Sequence, residues 1–490
     1  MTDFPRILPG CLMVALVLTL TACFDGSDKT KGPNPPVARV QDHIIEQHGL
    51  IRNDEYYWLR DDSRQDPEVL SLLAAENQYA TDYMAPLSGL QDQIYREITA
   101  RLTNDDRSLA INDGSYAYHR EFVPGGEQPV YFRTLRNSNH KSEIILDQNR
   151  LSSGHAFYAV GSWRTSPDDK LLAFTEDTVG RNQFRLRFRN LDSGEFLPDS
   201  IANVSDSIAW SADSRWIFYV RQDEQTLLPR QVYRHRLGTP VASDVLVYEE
   251  TDRAFYTTVS ASRSRSLILI SSDSIDASEL QFIPADQPES APQMFQRREA
   301  GHRFVVRHLD GNFYILSNRD APEYRLMIAA DTVRSEPEKW RELMPYRPQV
   351  SLTDLEVFDR YIAVGETEAG LPRIRVMDRS EPAMPGHLIS FPDPSYHALL
   401  AFNHDHQSEV IRYAYSSLRA PDSVYEYHPG LDHSYLLKQD EVVGDFDPVN
   451  YTVERLWIDA RDGERVPVSL VYRTGLFRKG ENPLYLEAYG

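Results

Sequence analysis

Cysteine is nearly absent: two occur in 490 residues, Cys11 and Cys23, and none follows Cys23. Beyond that point the chain can form no disulfide, present no thiol nucleophile and build no zinc-thiolate site. Positive charge is also scarce, 52 Lys and Arg against 73 Asp and Glu for a net charge of -21. That balance repels nucleic-acid phosphates, so no nucleic-acid partner is expected, while cationic substrates are attracted. A third absence concerns chemistry. Serine hydrolysis by an α/β-hydrolase needs a nucleophile raised on a tight turn, written Gly-x-Ser-x-Gly, and that pentapeptide does not occur. Hydrophobic residues at 41% and charged residues at 26% are those of a globular protein and exclude general disorder.

What is present begins with an export signal. Arg6 precedes the apolar run Cys11-Leu-Met-Val-Ala-Leu-Val-Leu-Thr-Leu20, too short for a comfortable permanent span. It ends in Leu20-Thr-Ala-Cys23, which resembles the lipobox of bacterial lipoproteins, where the cysteine is acylated and becomes the mature N-terminus. The alternatives are an ordinary cleaved signal peptide or a short anchor. Phe24 in place of an aspartate favours the outer membrane, so the expected location is the cell envelope, lipid-anchored and facing the periplasm. Residues 1–22 read as the signal peptide and 23–36, rich in Asp, Ser, Lys, Gly, Pro and Asn, as a tether.

Residues 37–105 read as a helical arm. Asp66-Pro67-Glu68 combines a capping carboxylate, proline at the first helical position and an acid at the positive end of the dipole. Val69, Leu72, Leu73, Tyr79 and Tyr83 recur at helical spacing, and Leu90, Ile94, Ile98 and Leu102 repeat the pattern. From 106 to 450 the period changes to short alternating runs, each preceded by a turn residue: Asp113-Gly114, Asp168-Asp169, Asp213-Ser214, Ser264-Arg265, Asp310-Gly311, Asp359-Arg360 and Asp405-His406. These marks recur roughly every 45 to 55 residues, near the length of a four-stranded propeller blade. Seven marks predict seven blades, an all-β propeller; a long sandwich or stacked sheets is the alternative. The last stretch, 451–490, alternates around Asp462-Gly463 as a hairpin and continues into an expected strand at Asn482-Pro-Leu-Tyr-Leu-Glu-Ala-Tyr-Gly490. Two or three strands make no domain, so this stretch reads as the opening of an incomplete one.

The chain resembles the prolyl oligopeptidase family, of the oligopeptidase B type. The blocks that carry the resemblance are Asp54-Glu-Tyr-Tyr-Trp-Leu-Arg-Asp61, Ala75-Glu-Asn-Gln-Tyr79, Arg187-Phe-Arg-Asn-Leu191, Thr226-Leu-Leu-Pro229 with Gly238-Thr-Pro240, and Ala460-Arg-Asp-Gly463 with Val466-Pro-Val-Ser-Leu-Val471. The resemblance implies an N-terminal helical arm, a seven-bladed propeller acting as a size filter, and an α/β-hydrolase domain, begun at 451–490, that cuts short peptides after Arg or Lys. It places the serine, histidine and acid beyond residue 490, and sets Tyr489 on the family's tyrosine that helps hold the oxyanion; Glu487 and Ala488 depart from the family's usual Tyr-Gly. Tyr489 is otherwise a strand tyrosine. The competing reading is a non-catalytic propeller lipoprotein that binds or scaffolds. No cofactor and no metal are expected: His404-Asp405-His406 reads as a solvated turn, Gly125-Gly126 as a hairpin turn, and Trp163, Trp210 and Trp216, beside blade marks, as core, with Trp58 in the arm.

Overall fold

A computed structural model describes residues 33–102, 107–382 and 384–488. The chain divides into two compact units, residues 1–100 and 101–490.

In the first unit a hairpin, Ile44–Gln47 paired with Leu50–Asn53, turns through His48 and Gly49, both at positive φ. Two helices follow, α1 (Pro67–Met84) and α2 (Ser88–Thr99). The Asp66 carboxylate accepts from the backbone N–H of Glu68 at 2.8 Å and of Val69 at 3.4 Å, the cap expected from the sequence. The block around Tyr57 and Trp58 folds onto the irregular segment that leads into the hairpin. His43 stacks on Tyr57 with centroids 3.8 Å apart, Trp58 donates its indole N–H to the Arg39 carbonyl, and Arg39 grips Glu68 with two hydrogen bonds of 2.7 and 2.9 Å. Val69 is buried, but Leu73, Leu90, Ile94 and Ile98 are about half exposed, so most of the two apolar faces stays in water.

The second unit is a ring of antiparallel sheets. Every one of the seven sequence marks lies between the first and second strands of a sheet repeat, and Gly114, Asp169, Ser214, Arg265, Asp310 and Gly311 take up positive φ there. The mark is therefore a tight turn with a left-handed residue, which explains the preference for Asp, Gly and Ser.

The expected count of seven blades is corrected. Five four-stranded blades are separate sheets, at 111–147, 256–296, 304–344, 350–388 and 396–439, whereas residues 159–249 form one continuous seven-stranded sheet. The cause is the 15-residue strand Phe196–Trp210. Its first part pairs with Phe184–Asn190 and its second with Trp216–Gln222, and Val204 belongs to both ladders. The strand bends at Asn203, φ 57°, without stopping, so two turn marks fall in one sheet.

Apolar clusters fill the junctions between neighbouring sheets. Tyr118 and Ile145 meet Leu172 and Phe174; Phe218 and Val232 meet Val259 and Ile268; Phe282 and Phe295 meet Phe304 and Phe313; Leu309 and Leu316 meet Leu352 and Val364; Ala363 and Val376 meet Ala398 and Ile411. None of these clusters joins the last blade to the first. That seam is held by Arg136 to Asp405 at 2.8 Å, by Arg412 to the Ala110 carbonyl at 2.6 Å and by Lys438 to the Arg107 carbonyl at 2.9 Å.

The terminal hairpin forms as expected, Tyr451–Asp459 against Arg465–Arg473, with Gly463 at φ 91° in its turn. The expected next strand does not: 483–488 has no ladder, and Leu484, Tyr485 and Leu486 are exposed. A strand needs a neighbour to pair with, and none of the described strands lies beside it.

One buried polar cluster fixes a pH response. His235, fully buried, directs Nδ1 to Asp244 at 2.6 Å and Nε2 to Asp199 at 3.1 Å, while the Tyr219 hydroxyl donates to Asp244. Burial opposes the imidazolium, but the hydrogen bonds to Asp244 and Asp199 outweigh it and hold the His235 pKa above its ordinary value. A raised folded-state pKa gives stability that is complete below the unfolded value of about 6.5 and is lost as pH rises through the folded one. The thermal unfolding midpoint should thus decline as pH is raised above about 6.5, and His235→Gln should remove that part of the decline while costing ~3 kcal/mol or more by leaving two buried carboxylates unpaired. A midpoint independent of pH in the same range, with His235→Gln neutral, contradicts this.

Candidate functional site: the charged channel

The first strand of each sheet faces the central channel and leaves some of its side chains open to solvent, Val305 and Leu399 among them. Strand Tyr256–Ala261 shows this plainly: Thr257 and Val259 are buried, Thr258 and Ser260 exposed. At the ends of these strands charged residues from different sheets meet, some of them neighbours in the ring and some not. Arg263 reaches Glu356 at 2.7 Å, and Arg307 approaches Glu356 at 3.7 Å and Asp354 at 3.8 Å. From the same turn as Arg263, Arg265 crosses to Asp113 of the first blade, tying two blades that are not adjacent in the ring. Arg164 has no carboxylate within ion-pair distance among the described residues; one guanidinium nitrogen donates to the Trp163 carbonyl at 2.7 Å. Solvent reaches Arg164, yet protein surrounds it. That burial pulls its pKa below the usual arginine value, with Asp113 and Asp206 opposing and Arg263 adding to the effect. His404 lies in the same field and its pKa is lowered, by burial first and then by Arg263.

One constellation imitates a hydrolytic triad. The Ser264 Oγ lies 2.8 Å from His308 Nδ1, and His308 Nε2 lies 3.1 Å from Asp331. His308 is buried, however, and burial lowers its pKa. Ser264 also exchanges hydrogen bonds with the Ser262 and Ser266 hydroxyls. These hydrogen bonds run from the turn of the 256–296 blade to the 304–344 blade and join the two.

Tyr489 and Cys23 lie outside the described residues. His404-Asp405-His406 stands in a loop after strand Tyr396–Leu400, and its two rings part: His406 turns to Asp359 at 2.7 Å, while His404 faces the interior. Gly125-Gly126 is the hairpin turn expected. Trp210 is core, as expected, but Trp163 and Trp216 are only partly buried. Arg164, Arg263, Arg265 and Glu356 were missed by sequence reasoning. Arg265 sits inside a repeat mark, but the partner of each is set by ring closure, for which sequence spacing carries no signal.

The sequence profile described as "Prolyl oligopeptidase, N-terminal beta-propeller domain" matches residues 35–440. The chain belongs to the prolyl oligopeptidase family. It is similar to Dipeptidyl aminopeptidase BI of Pseudoxanthomonas mexicana, 34% identical over 98% of this chain and 68% of the relative, and to Protease 2 of Moraxella lacunata, 29% identical over 93% and 66%. Oligopeptidase B from Leishmania major superposes with a TM-score of 0.84 at 27% identity, covering 91% of this chain and 66% of that one. The chain thus spans about two thirds of the length of these relatives. Glu356, shared by Arg263 and Arg307, is the carboxylate on which the channel's charges converge. Glu356→Gln should lower the urea midpoint by an amount equivalent to about 1–3 kcal/mol, because Arg263 and Arg307 lose the negative charge they share. An unchanged midpoint would show the pairs to be replaceable by water.

Proposed function

We propose that residues 37–490 are the arm, propeller and first strands of a serine oligopeptidase that hydrolyses short peptides after arginine or lysine. The observation that supports this best is the family match over 35–440 together with the likeness to Oligopeptidase B. In this reading a serine, histidine and acid outside these 490 residues perform the cleavage, and Tyr489 donates a hydrogen bond to the charge growing on the carbonyl oxygen. The propeller excludes folded proteins and admits flexible chains. The likeness to Dipeptidyl aminopeptidase BI favours a second reading, release of dipeptides from a free amino terminus. Third is a propeller lipoprotein that binds without cleaving.

Gene product purified from its host separates the three. Cleavage of amino-blocked arginyl or lysyl substrates supports the first reading; cleavage of dipeptidyl substrates only when their amino group is free supports the second. No turnover, with a coding frame that lacks Gly-x-Ser-x-Gly after codon 490, leaves the third. The 490 residues expressed by themselves should turn over no peptide and take no fluorophosphonate label, since they hold no nucleophile motif. Stoichiometric labelling of one serine, Ser264 included, would refute that.

We also propose that Cys23 is acylated and holds the protein on the outer membrane, where its substrates are peptides of the cell envelope. Each buried methylene of an acyl chain contributes about 0.8 kcal/mol, so two or more chains anchor durably. Cys23→Ala should move the protein from the membrane pellet to the soluble fraction; sedimentation with membranes after a high-salt wash would defeat the assignment.

A further inference from the structure

A cavity of about 730 Å³ lies at the seam between the first blade, 111–147, and the last, 396–439. It falls within the range of small-ligand sites, about 300–1,000 Å³. One wall is aromatic. Trp163 packs with Tyr118 at 5.3 Å and with Tyr131 at 5.9 Å between ring centroids. The facing wall carries Leu399 and Phe402, each 43% exposed although they lie inside the ring, because they face empty space.

Two further features narrow the occupant. The indole N–H groups of Trp58, Trp210 and Trp340 each donate to a carbonyl, at 2.8, 3.1 and 2.9 Å, whereas those of Trp163, Trp216 and Trp457 have no acceptor among the described residues, and of these three only Trp163 lines the cavity. A half-buried indole donor with no protein partner can donate to an acceptor on whatever fills the cavity. The lining charges also cancel: Asp113, Asp422 and Asp440 stand against Arg120 and Lys438, and Asp113 is already held by Arg265. A neutral lining gives a charged ligand nothing to offset its desolvation.

We propose that the seam cavity binds an uncharged aromatic residue of a peptide, its ring between Trp163 and Phe402 and its main-chain carbonyl accepting from the Trp163 indole N–H. The inference goes beyond hydrolysis and is tested without it. N-acetylphenylalanine amide serves as the probe and N-acetylalanine amide as the control, followed by the indole N–H resonances of the 490-residue chain. Its six tryptophans give six signals, and Trp163→Phe identifies the one from Trp163. The expected result is saturable movement of the Trp163 signal with the phenylalanyl probe alone, affinity about tenfold weaker in Trp163→Phe by the other shifts that report binding, and loss of binding in Leu399→Trp. Leu399→Trp fills the cavity from an exposed position, so it keeps the test valid if Trp163→Phe disturbs folding. Absence of a saturable shift, equal response to both probes, or undiminished binding in Leu399→Trp would each overturn the proposal.

Discussion

Burial of apolar side chains between facing sheets is the constraint on which the ring depends. Each sheet has two faces, and a strand alternates its side chains between them, so a sheet in the ring must find an apolar neighbour on both sides. Burying one Leu, Ile or Phe contributes roughly 1.5 to 3 kcal/mol, and the clusters at five junctions each hold several such residues. At the sixth junction, between last and first blades, the hold is polar. The ion pair of Arg136 with Asp405 is part-buried and its partners replace no apolar packing, so this junction has the least hydrophobic hold of the six.

That weakness accounts for how charge is placed elsewhere. Arg265 and Asp113 connect the first blade across the channel to the blade at 256–296, an anchor that does not pass through the seam at all. Arg263, two residues earlier, binds Glu356 on a third blade. One turn therefore ties three blades, and it can do so because the left-handed conformation at Arg265 lets both arginines leave the strand toward the axis. The chain's net charge of -21 has no counterpart here, since the named channel cations and carboxylates balance.

Local features were legible in the sequence because they are made by neighbours in the chain. The Asp66 cap, the turn at each repeat mark, the Gly463 hairpin and the change from helical to alternating period all depend on residues within five positions of one another. The number of separate sheets was not legible. It turns on Asn203, where the chain bends and keeps its ladder, and nothing in Val204-Ser-Asp-Ser announces that a strand leaving one partner will join the next without a break. Over the described residues 482–488 the expected strand does not form for a related reason: alternation shows what a segment could pair as, and pairing itself requires a partner. Of the candidate site, the arginines could be seen as charges but not as partners of Glu356 and Asp113, 93 and 152 residues away.

Ring closure by polar contacts also explains why an aromatic cavity survives beside a well-packed core. At a junction closed by apolar packing, side chains such as Tyr118, Trp163, Leu399 and Phe402 would meet one another and exclude the space between. Here the first blade contributes an inner strand of only three residues, Ile111–Asp113, against five in the last blade, Tyr396–Leu400. The short strand cannot cover the longer one, so Leu399 and the loop carrying Phe402 overhang it. Arginine and lysine side chains then span the gap to main-chain carbonyls at Ala110 and Arg107, which long flexible stems can do without bringing the two sheets into contact. The cavity is thus the geometric remainder of a ring whose first strand is too short to close it.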